Sequence, residues 1–307
     1  MAIPALGREE STLRLLKSLA GQTEKPDQIV LVECVDIKAL FSKKILENIL
    51  GDSIRIKYIG TKIKNIAYSR NLAMRACDNN WMVFLDNDVA IDLNYIELVS
   101  KAVSERGNEL VGVVGEVKPL KNGYLSDYSA RLFSQGLTGS KKVKKVKFYA
   151  TLAVVLNLQK IKKWKIRFDN SLKTGEDTDF FLKIYYKGGE VEYNPELMAY
   201  HDFETQNWIN FVKRYYSYGR NFVNLEKRHP AEFEALGLFP GRNIFKWIFF
   251  PVLVLFYLKK LIDNLLKDKV VARGYELAAW VCYLSMLAGV YSSKEGMKKL
   301  FLGHISK

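Results

Sequence analysis

The sequence has few cysteines and lacks the signatures of several specialised protein classes. Its 307 residues include three cysteines, Cys34, Cys77 and Cys282, and none is spaced as a pair. This usage argues for a reducing compartment and against a zinc site or a disulfide framework. The first residues contain no recognisable secretory signal peptide. No helix-turn-helix, zinc-finger or RNA-recognition signature accompanies the basic composition, so we expect no nucleic-acid partner.

Long apolar runs are also scarce. Residues 247–258 and 277–293 carry no charge, but neither run comfortably reaches the about 20 apolar residues that a membrane-spanning helix needs. The net charge of +14 is unevenly divided: residues 1–240 hold 36 Lys and Arg against 29 Asp and Glu, whereas residues 241–307 hold 11 against 4. Basic residues beside apolar runs favour an anionic membrane surface. We expect residues 226–307 to be helical and to form a hairpin that lies in one leaflet or at the interface. The alternatives are a pair of membrane-spanning helices, whose terminal lysines would shorten the length required, and a buried helical subdomain.

Predicted strands and helices alternate through the first 120 residues. Apolar segments typical of strands at residues 28–32, 54–59, 81–85 and 110–117 are separated by amphipathic segments typical of helices. This βαβ pattern predicts an α/β domain with a mostly parallel sheet flanked by helices. Residues 118–147 break the pattern with glycines, serines and a lysine run, and we expect a loop followed by a basic edge. Two short strands are expected around residues 191 and 199.

The apolar run 81–85 is followed by two carboxylates, Asp86 and Asp88. Because ionised carboxylates are costly to bury unpaired, they should lie where the strand leaves the core. The carboxyl ends of parallel strands are where open α/β sheets bind ligands. Two carboxylates there suit a hard divalent cation, which in turn neutralises a phosphate. Taken alone, the stretch is equally consistent with a polar turn.

Four segments, in order along the chain, resemble the motifs of the family 2 glycosyltransferases, which have the GT-A fold with a Rossmann-like sheet. Each motif is weak by itself, but four in the right order and spacing are a strong signal. The resemblance covers about residues 1–225. The segments are 69–73 (Ser-Arg-Asn-Leu-Ala), 84–88 (Phe-Leu-Asp-Asn-Asp), 175–180 (Gly-Glu-Asp-Thr-Asp-Phe) and 194–196 (Asn-Pro-Glu), the last followed by Tyr200 and His201.

The resemblance implies an inverting, metal-dependent hexosyltransferase. Its donor would be a nucleotide-diphosphate sugar, UDP-linked by preference. From the uncharged and basic C-terminal runs alone, we expect the acceptor to be a lipid-linked or cell-surface glycan and the protein to lie at the cytoplasmic face of the membrane. Asp88 and His201 would bind Mn²⁺ or Mg²⁺, with Asp86 near the metal or the donor ribose. Asp177 would be the general base that takes the acceptor proton, and Glu176 the reserve.

The resemblance also implies donor contacts, which we place at Pro4, Glu33, Asp36, Arg70 and Asp86. The sequence departs from the family here, since Glu33 and Cys34 replace the expected pair of aspartates. Only three residues precede Pro4, so we expect either a truncated first strand or a natural start further upstream. The alternative from another class is a catalytically degenerate scaffold protein of the same fold at a membrane surface. The intact Asp88, Asp177 and His201 argue against it.

Overall fold

A computed structural model describes residues 1–35, 39–134, 137, 140, 142–147, 149–205, 207–235 and 270–293. These residues form two units. The first comprises residues 1–120 and 130–203, and the second comprises residues 121–129 and the described part of 204–307. The domain boundary that we predicted at residue 225 falls inside a continuous helix, Trp208–Arg228.

One sheet organises the first unit. Its described strands are β1 (Ala2–Ala5), β2 (Gln28–Cys34), β3 (Arg55–Thr61), β4 (Trp81–Leu85), β5 (Val89–Ile91), β6 (Gly112–Pro119), β7 (Lys144–Val146), β8 (Ala153–Asn157) and β9 (Val191–His201). The strand order is β3-β2-β1-β4-β8-β6-β9-β5, and β7 pairs with β9. Strands β2, β4 and β8 are buried along nearly their whole length, so the sheet is the centre of the hydrophobic core.

Helices connect and flank these strands. The described helices are α1 (Glu9–Ala20), α2 (Lys43–Leu50), α3 (Ile66–Ala76), α4 (Tyr95–Arg106), α5 (Tyr124–Phe133), α6 (Leu158–Lys163), α7 (Glu176–Tyr186), α8 (Trp208–Arg228), α9 (Pro230–Ala235) and α10 (Val270–Ser292). The sequence predicts α3 and β4 with their observed bounds. Helix α3 begins where expected because the Asn65 side chain accepts a hydrogen bond from the Tyr68 N–H at 2.9 Å, which caps the helix.

The sheet is mixed, so the expectation of a mostly parallel sheet is wrong. The pairs β1–β2, β2–β3, β1–β4 and β6–β9 are parallel, whereas β4–β8, β6–β8, β5–β9 and β7–β9 are antiparallel. Parallel neighbours need a crossover connection, usually a helix. Strands and helices alternate, and so supply such crossovers, only in the first part of the chain. Strand β8 then lies between β4 and β6 and runs antiparallel to both.

Two further expectations, for residues after 117, are wrong in part. The region 118–147 was expected to be a loop followed by a basic edge, and it contains helix α5 where the loop was expected, whereas the lysine run does form a short strand, β7, that pairs with β9. The two short strands expected near residues 191 and 199 are one eleven-residue strand, β9. A continuous strand is possible there because its irregular middle section is accommodated as a bulge.

The bulge in β9 changes the register of its pairing with β6. Gly115 pairs with Asn194, but the next residue, Glu116, pairs with Met198. Residues 195–197 are therefore inserted in β9 opposite no residue of β6. Such insertions bend a strand and redirect the side chains that follow.

Gly115 makes the bulge possible. A Cβ atom at this position would lie 1.9 Å from the Leu197 carbonyl oxygen, so only glycine allows the two backbones to approach. The side chain of Asn194 accepts a hydrogen bond from the Glu196 N–H at 3.0 Å and so closes the inserted segment. The Asn-Pro-Glu motif thus forms the bulge itself.

The second unit is built around α8 and α10, whose backbones approach at two glycines. A Cβ at Gly219 would lie 1.9 Å from the Met286 carbonyl oxygen, and one at Gly289 would lie 2.1 Å from the Tyr216 carbonyl oxygen. The close crossing leaves no space for a side chain at either position. The fully buried residues of this unit's core cluster are Leu125, Phe211, Tyr215, Ala278 and Cys282.

Of the two uncharged C-terminal runs, residues 277–293 lie in and directly after α10. Residues 247–258 lie outside the described residues. Among the helices of the described ranges, none combines the length and the apolar character needed to cross a bilayer.

Candidate active site

The described site residues lie at the ends of several elements of the first unit. Two follow β4, one ends β9, two begin α7 and one lies on the buried face of α3. Five of these residues form two groups. In the first, Arg70 contacts Asp86 and Glu176, and in the second, Asp88 contacts His201. Asp36 lies outside the described residues.

Arg70 joins the first group. Its Nη1 donates to Glu176 Oε1 and its Nη2 to Asp86 Oδ1, both at 2.7 Å. The side chain is 4% exposed, and the guanidinium carbon lies 5.5 Å from the centre of the Phe168 ring. A buried guanidinium is stable only when its charge is paired, and the charges of Asp86 and Glu176 outweigh the effect of burial and raise its pKa. Arg70 therefore links the strand of the carboxylates to the start of α7.

Asn71, the next residue, fixes the platform beneath this group. Its side-chain amide donates to the Phe168 carbonyl oxygen at 2.8 Å, and its side-chain oxygen accepts from the Phe168 N–H at 3.0 Å. The Phe168 ring stacks on Phe180 of α7, with ring centres 4.1 Å apart. The Arg-Asn motif thus has two roles: Arg70 binds the two acids, and Asn71 holds Phe168, whose ring lies beside the Arg70 guanidinium.

Both acids at the start of α7 have raised pKa values. Burial raises the pKa of Glu176 to about 7, the Asp177 charge adds to this rise, and Arg70 opposes it. Burial also raises the pKa of Asp177, against the opposing charge of Arg70. A carboxylate whose pKa moves toward neutrality is a better proton acceptor near pH 7. This is the property that the prediction of Asp177 as a general base requires.

The raised pKa of Glu176 predicts a pH-dependent stability. The native state holds this proton up to about pH 7, whereas the unfolded state releases it near the ordinary value of 4.5. The native state then binds more protons across this interval, so the free energy of unfolding falls as pH rises, by at most about 1.4 kcal/mol per pH unit. Urea unfolding of the wild type and of Glu176→Gln, measured from about pH 5 to about pH 8, checks this. The variant should lack this component, and identical pH profiles would contradict the assignment.

Asp88 and His201, the second group, lie more than a hundred residues apart in sequence and meet through the pairing of β5 with β9. Val89 pairs with His201, and the Asp202 N–H donates to the Asp88 carbonyl oxygen at 3.1 Å. His201 Nε2 lies 3.2 Å from Asp88 Oδ1. The register after the bulge also pairs His201 with Pro119 at the end of β6, whereas the register before the bulge, continued, would pair Met198 with Pro119.

The chemistry of this pair fits a divalent cation. Two donor atoms 3.2 Å apart are within the span of one cation whose bonds to N and O are about 2.1 Å long. His201 Nδ1 is buried and has no hydrogen-bond partner among the described residues. Within those residues no third His, Cys, Asp or Glu completes a metal-binding group. A carboxylate and an imidazole would therefore hold the metal with ligands from outside the protein, as Mg²⁺ sites do with substrate phosphates.

The sequence interpretation missed Arg8 and Asn87. Arg8 Nη1 lies 2.5 Å from Asp88 Oδ2. Asn87 is buried, and its side-chain amide donates to the Gly7 carbonyl oxygen and to the Thr12 hydroxyl, both at 3.0 Å. The middle residue of the Asp-Asn-Asp motif thus ties the loop after β1 to the loop after β4. The sequence feature that could have identified Arg8 is its position, because it is a cationic residue that follows the carboxyl end of a central strand.

The predicted donor contacts near β2 have a different environment. Glu33 is 1% exposed. Its carboxylate accepts hydrogen bonds from the Leu40 N–H at 2.7 Å, the Phe41 N–H at 3.2 Å and the Tyr58 hydroxyl at 2.7 Å. Pro4 is buried in β1, opposite Val32. In this arrangement Glu33 holds the segment after β2, and its contact with a donor stays a prediction.

Comparison with known proteins agrees with these features. The sequence model of the family described as Glycosyl transferase family 2 matches residues 1–155, just over half of the chain. A pre-mycofactocin glycosyltransferase of Mycobacterium tuberculosis is 25% identical over 196 residues, which are 62% of this chain and 40% of the relative. Glycosyltransferase GlyA of Streptococcus pneumoniae is 26% identical over 218 residues, covering 64% of this chain and 30% of the relative. The chain thus spans less than half the length of these relatives.

Solved structures share the fold at low sequence identity. S. aureus TarS has a TM-score of 0.52 at 16% identity, with 70% of this chain and 38% of TarS covered. A TarS fragment in complex with UDP-GlcNAc has a TM-score of 0.51 at 16% identity, with 71% and 64% covered. GalNAc-T7, solved with UDP, GalNAc and Mn²⁺, has a TM-score of 0.51 at 14% identity, with 66% and 43% covered. With the family match over residues 1–155, these observations lead to one conclusion: the chain belongs to glycosyl transferase family 2.

Proposed function

We propose that this protein is an inverting, metal-dependent glycosyltransferase that uses a UDP-linked sugar as donor. The observation that carries the proposal is the approach of Asp88 and His201 to 3.2 Å at the carboxyl edge of the sheet. Such a pair binds a cation that needs further oxygen ligands, and the diphosphate of a nucleotide sugar supplies them. The complexes of TarS with UDP-GlcNAc and of GalNAc-T7 with UDP and Mn²⁺ support this choice of donor.

In the proposed reaction, the acceptor oxygen forms a bond to the anomeric carbon while the bond from that carbon to the diphosphate breaks. Asp177 takes the proton of the acceptor hydroxyl, for which its raised pKa suits it. Asp88 and His201 would hold Mn²⁺ or Mg²⁺, which stabilises the negative charge of the leaving nucleotide. Arg70 keeps Glu176 and Asp86 in place through its two 2.7 Å hydrogen bonds. The single displacement inverts the configuration at the anomeric carbon.

For the acceptor, we propose a lipid-linked or cell-surface glycan, with the protein at the cytoplasmic face of a membrane. The support is compositional: residues 241–307 hold 11 Lys and Arg against 4 Asp and Glu, next to two uncharged runs. Basic side chains near an anionic lipid surface contribute about 1 kcal/mol each. A lipid-linked acceptor would then be presented at the surface to which the enzyme binds.

A thermal-unfolding screen tests the donor and metal requirements together. UDP and a panel of UDP-sugars, each with and without Mn²⁺, are added to the full chain, with ADP as the control for the base. We expect UDP compounds to raise Tm only when Mn²⁺ is present, because a ligand that binds only the native state stabilises it by about 2.7 kcal/mol at a hundred times its Kd. An unchanged Tm with every UDP compound in the presence of Mn²⁺ would contradict the proposed function.

A further inference from the structure

Arg8 occupies the position beside Asp88 that a cation would neutralise. Its Nη1 lies 2.5 Å from Asp88 Oδ2, while His201 faces the other oxygen, Oδ1, at 3.2 Å. The Arg8 side chain is 42% exposed and that of Asp88 is 14% exposed. The carboxylate thus has a cationic partner on one oxygen and a metal-binding nitrogen on the other, and the cationic partner is at the solvent side.

The backbone is arranged to hold Arg8 there. Arg8 has φ 65° and ψ 64°, and Gly7 before it also has a positive φ, 76°. The side chain of Asn87 binds the Gly7 carbonyl oxygen and the Thr12 hydroxyl, and the same hydroxyl donates to the Arg8 carbonyl oxygen at 3.0 Å. The loop that carries Arg8 is therefore fastened to the loop that carries Asp88, independently of the ion pair.

The conformation of Arg8 is compatible with a stable loop. A residue with a side chain in the left-handed region costs about 1–2 kcal/mol, and the hydrogen bonds of Asn87 and Thr12 to this loop offset that cost. The ion pair with Asp88 is partly exposed and contributes only about 0–1 kcal/mol, so the guanidinium can leave the carboxylate at little cost while the loop stays in place.

We propose that Arg8 is a positioning residue that substitutes for the cation on Asp88 and transfers to the donor diphosphate when the cation binds. The inference rests on the proposed function, because it concerns the same metal and donor. A divalent cation entering between Asp88 and His201 takes over the carboxylate charge and displaces the guanidinium. The displaced side chain stays at the carboxyl edge of the sheet, because Asn87 holds the carbonyl oxygen of Gly7, the residue before Arg8. A planar guanidinium with several N–H donors then matches the oxygens of a diphosphate.

The transfer has two measurable consequences of opposite sign. Removing the Arg8 charge removes a competitor of the metal, so Arg8→Gln should bind Mn²⁺ about twofold to fivefold more tightly without nucleotide. The same variant lacks a charged hydrogen bond to phosphate, so at saturating Mn²⁺ it should bind UDP about tenfold more weakly. Mn²⁺ affinity is measured from the electron paramagnetic resonance signal of the free ion, and UDP affinity by calorimetry. Neither measurement depends on turnover.

The matched control is Arg106→Gln. Arg106 forms a comparable pair with Glu192, at 2.5 Å and with side-chain exposures of 48% and 9%, so loss of one positive charge is reproduced away from the site. This control should leave both affinities unchanged. Arg8→Lys keeps the charge but lacks the planar fork, so it should retain the wild-type Mn²⁺ affinity and still bind UDP more weakly. If Arg8→Gln does not fold, Arg8→Lys still tests the contact with UDP.

The outcomes separate the two proposals. If the wild type binds neither Mn²⁺ nor UDP, the proposed function fails and the role of Arg8 fails with it. If the wild type binds both, but Arg8→Gln leaves either affinity unchanged or weakens both, only the role assigned to Arg8 is overturned. Tighter Mn²⁺ binding together with weaker UDP binding supports it.

Discussion

Replacing Asp88 by alanine is expected to lower the rate of UDP release from the donor sugar by about 100- to 1,000-fold, because under the proposed function the cation would lose its carboxylate ligand. The remaining imidazole of His201 cannot hold the metal alone. The fold should persist, because the Asp88 side chain contacts a partly exposed Arg8, and such pairs contribute about 0–1 kcal/mol. UDP release at varied Mn²⁺ concentration, together with thermal unfolding of the same preparation, checks both parts.

The matched control for this experiment is Asp78→Ala. Asp78 precedes the amino end of β4, at the opposite end of the strand from Asp88, and pairs with Lys57 at 2.8 Å. This variant also removes one negative charge, but it does so near the other end of β4 and away from the site. UDP release should therefore continue at the wild-type rate. Equal rates in Asp88→Ala and the wild type would exclude Asp88 as a metal ligand.

Replacing Arg70 by methionine is expected to lower the free energy of unfolding by about 3–5 kcal/mol, because it leaves two carboxylates near each other without their common cation. Methionine retains much of the apolar volume beside Phe168, so the loss reports mainly on charge. The effect should be larger at about pH 8 than at about pH 6, since Glu176 can take up a proton at the lower pH and become neutral. Urea unfolding at the two pH values measures this.

Two comparison variants decide the interpretation. Arg55→Met removes a guanidinium that is 61% exposed and 4.0 Å from Asp78, and it should change the free energy of unfolding by no more than about 0.5 kcal/mol. Adding Glu176→Gln to Arg70→Met removes one of the unpaired charges and should recover part of the loss. A loss of the same size in the double variant would mean that the unpaired charge of Glu176 does not contribute to the loss.

Local patterns in the sequence were sufficient for the parts of the fold that depend on neighbours along the chain. The apolar run of β4 and the Asn65 cap of α3 act within a few residues, and both elements have their expected bounds. The place of β8 depends on distant strands, and nothing in its own run of four apolar residues, 153–156, distinguishes an antiparallel neighbour from a parallel one. Helix α5 was missed because the glycines and lysines that follow it dominate the composition of the region.

The candidate site divides in the same way. Asp86 and Asp88 were found because they follow a buried strand, where charged side chains leave the core, and Glu176 and Asp177 were found through the resemblance of their segment to a family motif. That Glu176 joins Asp86 on Arg70 was not predictable, since it requires α3 and α7 to meet across about a hundred residues. Arg8 was missed for a related reason. The loop that carries it is held by a hydrogen bond from Asn87 to the Gly7 carbonyl oxygen, and no local propensity encodes that contact.

The bulge in β9 bears on how such sites are found by sequence motifs. Residues 195–197 have no partners in β6, so a chain without them would still place Pro119 opposite the same histidine. The number of residues between Asp177 and His201 can therefore differ by three without changing the residue of β6 with which the histidine pairs. A search that fixes this spacing would reject chains with an equivalent pair of aspartate and histidine. A search that instead requires the histidine to pair with the residue equivalent to Val89 would retain such chains.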